Sequence, residues 1–174
     1  MIFEHTPYSP DKTLLLRMQV FMEMVDDKDW VIFRDHDTMF CSNDWYMVIS
    51  NAIADKGDSG IYTCWTNRVN CEWQVDPDSP IDDNMWNHWD HSFFREPKGL
   101  IDRTDEEQMF SGMLMVIQKK QWLKIFPLLK RKLLGMDNEI HQACLKLGYK
   151  IWQIDLYIYH RYRWGVKNDK HHLK

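Results

Sequence analysis

Apolar and polar positions fall in blocks along this chain. Trp30–Phe33 is a continuous apolar run, closed by Arg34 and then by two aspartates, Asp35 and Asp37. A short apolar run with polar ends suits a buried strand. Ile61–Thr66 (IYTCWT), Phe110–Gln118 (FSGMLMVIQ) and Tyr149–Tyr159 are rich in β-branched and aromatic residues and predict further strands. Ile2–Tyr8 predicts a short first one. Between them the spacing turns helical. Leu14, Leu15, Met18, Phe21, Met22 and Val25 follow Ser9, an expected N-cap, and Pro10, an expected first-turn residue. Asp26–Asp29 predicts a turn. Ser42, Asn43 and Asp44 offer caps for a second helix carrying Tyr46, Ile49 and Ile53 on one side. Lys119–Leu134 predicts a helix interrupted by Pro127. Asp137–Leu147 predicts another, opened by Asp137 or Asn138 and stopped by Gly148.

The first third therefore reads β-α-β-α-β. That rhythm predicts an α/β fold with a mostly parallel central sheet flanked by helices. Arg68–Gln108 breaks the rhythm. It is acidic and proline-bearing, and it carries Trp73, Trp86 and Trp89. A long irregular segment in a compact domain is usually a functional loop or a disordered one, and the tryptophans favour function. The tail from His160 is basic, with 166–174 expected to be mobile. No internal repeat is visible.

Composition narrows the class. A chain of 174 residues with 44% hydrophobic residues suits one domain with a real core. The net charge of −4 and a pI near 6.0 argue against a general nucleic-acid binder. Four cysteines (Cys41, Cys64, Cys71, Cys144) form no Cys-x-x-Cys pair and read as reduced, buried thiols of a cytoplasmic protein. The start, MIFEHTPYSPDK, has no signal-peptide pattern, and no apolar run is long enough to span a bilayer.

Four polar clusters stand at the ends of apolar elements. Asp35-His36-Asp37 ends the Trp30 strand, where ligands of open sheets sit. Two carboxylates there can hold a hard divalent cation and, through it, phosphate oxygens. Ser111-Gly112 lies in the FSGMLMVI strand, where glycine allows a ligand close to the backbone. Asp137-Asn138-Glu139 opens a helix, and His160, with Arg161 and Arg163 after it, ends the last strand. Each has a plainer reading: a solvated turn, a bulge, an N-cap, a surface histidine. A separate grouping, His88, Asp90 and His91, has carboxylate and imidazole suited to zinc or iron, but no strand or helix fixes it in the pattern. Acceptor recognition by that tryptophan-rich segment is the stronger expectation there.

The order of the clusters resembles glycosyltransferases of the GT-A fold, especially the family 2-like enzymes and their small, phage-type members. Asp35-His36-Asp37 matches the family's aspartate-x-aspartate motif. FSGMLMVIQKKQW resembles its mid-chain Ser-Gly strand. GMDNEIHQACLKLGYKI, Gly135–Ile151, resembles its Gly-Glu-Asp-x-Glu-Leu…Gly-Tyr-Lys-Ile segment, with Met136 at the first acidic position. His160 in YHRYRWG is similar to its late metal-ligating histidine. The likeness spans roughly Ile2 to Gly165, which implies one GT-A-like domain over residues 1–165 with 68–108 as an acceptor-side loop.

The resemblance implies a nucleotide-sugar-dependent glycosyltransferase. Mn²⁺ or Mg²⁺ would be held by Asp35, Asp37 and His160. The donor, a UDP- or GDP-linked sugar, would meet Asp35, Ser111, Gly112, Arg161 and Arg163. Asp137 would take the proton of an acceptor hydroxyl, on a carbohydrate or another molecule, with Glu139 in reserve. Two other readings share the residues: a nucleotidyltransferase with an Asp-pair metal site, and a non-catalytic carbohydrate-binding protein of the same fold.

Overall fold

The apolar runs are the strands of a single sheet. The computed structural model describes residues 1–130 and 135–161. In chain order they form β1 (Ile2–His5), α1 (Leu14–Met24), β2 (Trp30–Arg34), β3 (Thr38–Phe40), α2 (Trp45–Lys56), β4 (Gly60–Thr66), α3 (Met85–Phe94), β5 (Ile101–Asp102), β6 (Leu114–Gln118), α4 (Lys119–Ile125), α5 (Met136–Lys146) and β7 (Lys150–His160). The seven strands run in the order β1-β2-β6-β4-β7-β3, with β5 also on β7.

Helices cover both faces, which is why the central strands are apolar almost throughout. Along β2 the side chains alternate. Val31 and Phe33 join α1, α4 and α5 in one core, with Trp122 and Ile125 fully buried. Trp30 and Ile32 join Ile49 and Ala52 of α2 in the other. A third, smaller core sets Trp65, Tyr157 and Tyr159 under Met85 and Trp89 of α3. Each fully buried aliphatic or aromatic side chain contributes roughly 1.5–3 kcal/mol by leaving water. No helix among the described residues is long and apolar enough to cross a membrane.

The sheet is mixed, not mostly parallel. β1·β2 and β4·β7 are parallel, while β2·β6, β4·β6, β3·β7 and β5·β7 are antiparallel. The reason is the path after β4. A parallel neighbour needs a crossover back to the far edge of the sheet. The 67–113 excursion instead runs out to the amino end of β7, where β5 pairs antiparallel with Trp152–Gln153, and returns to the carboxyl end of β2 before it enters β6. Arg34, the last residue of β2, consequently pairs with Leu114, the first of β6.

That excursion is also more ordered than expected. Residues 68–108 contain α3, a short 3₁₀ turn at Glu72–Gln74 and the two-residue strand β5. Asn84 caps α3 by accepting the Trp86 N–H, a signal hidden among the acidic residues around it. Other boundaries move for local reasons. Ser9 is not the cap of α1. Its Oγ accepts the Thr13 N–H at 2.6 Å in the turn before the helix, and Thr13 takes the cap position. Ser111-Gly112 precedes β6 rather than lying within it. Asp137 is inside the first turn of α5, because Gly135 takes the cap position with φ 76°, a left-handed conformation natural to glycine. The expected helix over 119–134 is α4 followed by a 3₁₀ turn around Pro127, and its last part, 131–134, lies outside the described residues. So does the basic tail from 162 on, with Arg163.

Candidate metal centre

Direction of travel decides what meets at the carboxyl end of β2. β4 and β7 are parallel and finish on the same side, so Asn67-Arg68 and His160 arrive together. β6 begins there, bringing Ser111-Gly112. α5 runs back against the strands and therefore also begins there, bringing Asp137.

Asp35 follows β2 directly, and its N–H donates to the Met113 carbonyl at 2.9 Å, extending the β2·β6 ladder by one step. The chain then turns tightly. Thr38 returns both its N–H, at 3.3 Å, and its hydroxyl, at 2.8 Å, to the Asp35 carbonyl. Arg34 closes the turn from outside. Its guanidinium donates to the Thr38 carbonyl and hydroxyl and is balanced by Glu4 at 2.8 Å. Thr38 then pairs with His160 in β3·β7, and the Arg161 N–H donates to the Asp37 carbonyl at 2.8 Å. The two aspartates are thus pinned to two different strands, one on each side.

One ligand atom from each of Asp35, Asp37 and His160 lies within 4.8 Å of the other two. Nε2 of His160 is 3.4 Å from Oδ1 of Asp37. The other ring nitrogen, Nδ1, is 2.9 Å from the Arg68 carbonyl. A carbonyl only accepts, so Nδ1 carries a proton and Nε2 is the nitrogen turned to the Asp37 carboxylate. Fixing the tautomer through a backbone carbonyl is the usual support of a metal-ligating histidine. Two carboxylates and one imidazole are a donor set for a divalent first-row metal or magnesium. The residues fit the cation that the sequence implied.

Asn67 and Arg68 escaped the sequence reading, and they hold the histidine. The Asn67 side chain receives the His160 N–H at 2.7 Å and donates to the His160 carbonyl at 3.1 Å. Buried Arg68 donates to the carbonyls of His160 and Arg161. The available signal was Asn-Arg directly after the apolar run Ile61–Thr66, the same pattern that marked Asp35. Gln74, also missed, is fully buried and clasps Ser111: it accepts the Ser111 N–H at 2.5 Å and donates to Thr63 Oγ1 at 2.6 Å.

Asp137 reaches the same region. Its Oδ2 accepts the Gly112 N–H at 3.2 Å and its Oδ1 accepts the Asn138 N–H at 3.0 Å. Gly112 is needed for this approach, since a Cβ there would stand 3.1 Å from the Asp137 Cβ. Asp137 and Asp35 line one small cavity of about 30 Å³. Asp137 and Ser111 line an adjoining cleft of about 320 Å³ with Asn70 and Met109. Glu139 lines neither cavity. Its Oε2 accepts the Lys130 N–H at 2.7 Å, away from Gly112. Arg161 is exposed and meets the centre through its backbone.

The His88, Asp90, His91 grouping does not converge on a metal. His88 is buried with Nδ1 2.7 Å from the Tyr157 hydroxyl and Nε2 2.9 Å from the Asp82 carbonyl, so both nitrogens serve the fold. His91 faces Asp76 at 3.5 Å, and Asp90 is exposed. Among the described residues, Asp35, Asp37 and His160 are the one group with metal-site spacing. The cysteines are all free and buried, and burial pushes Cys41 up to about 11 and Cys71 and Cys144 up to about 12, which leaves them as unreactive thiols.

No family model matches the chain. Among curated proteins it is similar to the RING finger protein PSH1 of Saccharomyces cerevisiae, with 31% identity over 94 residues. Those residues are 54% of this chain and 21% of that protein, so the chain spans about a fifth of the length of the curated relative it matches. Structural zinc of the RING kind needs closely spaced Cys and His ligands, and the dispersed, buried cysteines here supply no such set.

Proposed function

We propose that this chain is a metal-dependent glycosyltransferase of GT-A type, moving a sugar from a nucleotide-sugar donor to an acceptor hydroxyl. The observation that carries the reading is the convergence of Asp35, Asp37 and tautomer-fixed His160 at the carboxyl end of the sheet. Mn²⁺ or Mg²⁺ bound there would supply charge neutralisation for a departing nucleoside diphosphate. Asp37 and His160 would hold the cation, and Asp35 would meet it or the donor's ribose or sugar hydroxyls. Asp137 accepts the proton of the acceptor hydroxyl at a carboxylate oxygen. Its position against Gly112, on the same cavity as Asp35, favours it over Glu139 for that role. Arg161, and Arg163 beyond the described residues, would meet the donor phosphates. Free buried thiols fit a reducing, cytoplasmic setting.

A nucleotidyltransferase would use the same three ligands, and one assay separates the two. The protein is incubated with UDP- and GDP-linked sugars, and separately with nucleoside triphosphates, each with and without Mn²⁺. Metal-dependent release of UDP or GDP is expected. Pyrophosphate release from a triphosphate would move the protein to the second class. Neither product, together with no thermal shift on adding nucleotide sugar, would overturn both.

A further inference from the structure

We propose that the cavity of about 490 Å³ between the start of α2, α3 and β7 is a binding site for an uncharged sugar residue, separate from the carboxylate–histidine centre. Small-molecule sites usually measure roughly 300–1,000 Å³, whereas the 30 Å³ beside Asp35 has room for little more than a water.

The wall selects the ligand class. Trp89 and Phe93, one helical turn apart on α3, provide aromatic surface, with Tyr157 of β7, itself buried, in the lining. Phe93 lines the cavity with 76% of its surface exposed, which leaves ring surface free for a ligand. Asn43 and Ser92 place an amide and a hydroxyl beside these rings, and Asp44, which accepts from the Ser42 hydroxyl, adds a carboxylate able to accept from sugar hydroxyls. Arg95 is the basic residue of the wall, and it is already committed. It meets Asp155, also in the wall, and lies 3.4 Å from buried Asp76. An anionic ligand therefore finds no spare positive charge there. An alkyl ligand would cover the Ser92 hydroxyl, the Asn43 amide and the Asp44 carboxylate with no polar group to meet them, which costs free energy when they lose water. A sugar ring satisfies both halves, with C–H faces against the aromatics and hydroxyls toward the polar groups.

The wall is also held in place before any ligand arrives. Asp155 accepts the N–H groups of Lys98 and Gly99 at 2.9 and 3.1 Å, and Lys98 Nζ lies 2.9 Å from Asp76. A pre-ordered wall loses little entropy on binding. The inference uses the cavity alone and stands whether or not the metal centre performs transfer.

Saturation-transfer NMR on the full chain, with neutral mono- and oligosaccharides and without metal or nucleotide, tests it. At least one saccharide should receive magnetisation from aromatic protons. Phe93→Ala and Asn43→Ala, both at exposed positions and each checked for folding by circular dichroism, should weaken that saccharide by roughly two- to tenfold, the scale of one lost aromatic contact. Asp37→Asn should leave it unchanged. Transfer to no saccharide would overturn the proposal, as would equal binding by Phe93→Ala. So would binding of uridine or guanosine in place of sugars, or loss of saccharide binding in Asp37→Asn.

Discussion

Nε2 of His160 stands 3.4 Å from Oδ1 of Asp37, although the two residues lie far apart in the chain. The antiparallel pairing of β3 with β7 fixes that distance, because Thr38 is the partner of His160 and Asp37 is joined by its carbonyl to the Arg161 N–H. Nε2 is the ring nitrogen turned to the Asp37 carboxylate, because Nδ1 donates to the Arg68 carbonyl. A cation held between them would be shared by both side chains.

Asp37→Asn should therefore weaken Mn²⁺ binding by more than the roughly 10–100-fold typical of losing a supporting residue. His160→Ala should weaken it less, because imidazole brings no charge. Isothermal titration with Mn²⁺ gives both numbers, and circular dichroism shows whether the fold survives. A titration curve unchanged in Asp37→Asn ends the metal assignment.

Asp137→Asn is expected to lower turnover by about 10²–10⁴-fold, the range for losing a general base, with donor affinity kept. Gly112→Ala should lower it by a smaller factor, since the new methyl would press on the Asp137 side chain. Neither change should alter Mn²⁺ binding. If Glu139→Gln abolishes turnover while Asp137→Asn does not, the base is Glu139.

Acid should destabilise the protein before its carboxylates protonate. Burial makes His88 and His141 harder to protonate than the ordinary histidine value of 6.5, although for His88 the Asp82 carbonyl and charge oppose the shift. His141 Nδ1 also accepts the Phe110 N–H at 3.2 Å, which requires that nitrogen to be unprotonated. Below about pH 6.5 the unfolded chain binds protons that the folded chain refuses. Stability is thus complete above that pH and declines as pH falls beneath it. Tm measured from pH 8 to pH 5 at constant ionic strength should drop through the lower half of that range. His141→Gln, which keeps an acceptor without a titrating group, should make the slope shallower. A flat Tm down to pH 5 would contradict the account.

Gly60→Ala should cost stability with no change at the metal centre. A Cβ at Gly60 would lie 2.1 Å from the Lys150 carbonyl oxygen, its direct partner in β4·β7. Backbone on both sides leaves no soft neighbour to move. The loss should reach at least the roughly 1–3 kcal/mol of an overpacked core, read from urea unfolding. An unchanged midpoint would mean that the two strands separate more easily than their pairing indicates.

The residues by themselves determined the α/β class, the placing of β1, β2, β4 and β7, and three polar side chains, Asp35, Asp37 and His160, that the fold brings within 4.8 Å of one another. These are local signals: apolar runs long enough to cross a covered sheet, and polar residues at the points where they stop. The pattern could not decide strand direction. Whether β6 runs with or against β2 depends on which edge of the sheet the 67–113 segment leaves the chain at, and that follows from tertiary packing. Strand β3 was invisible for the same reason. Thr38–Phe40 is too short to form alone, and it exists because β7, eleven residues long, offers an edge. Helix α3 was masked by the acidic residues and tryptophans around its Asn84 cap. Only the folded chain could show that Asn67 and Arg68 hold His160, that Gly112 receives Asp137, and that Glu139 turns to Lys130 instead. Each depends on hydrogen bonds between residues far apart in sequence, and those bonds form only once the sheet has brought their strands to one side.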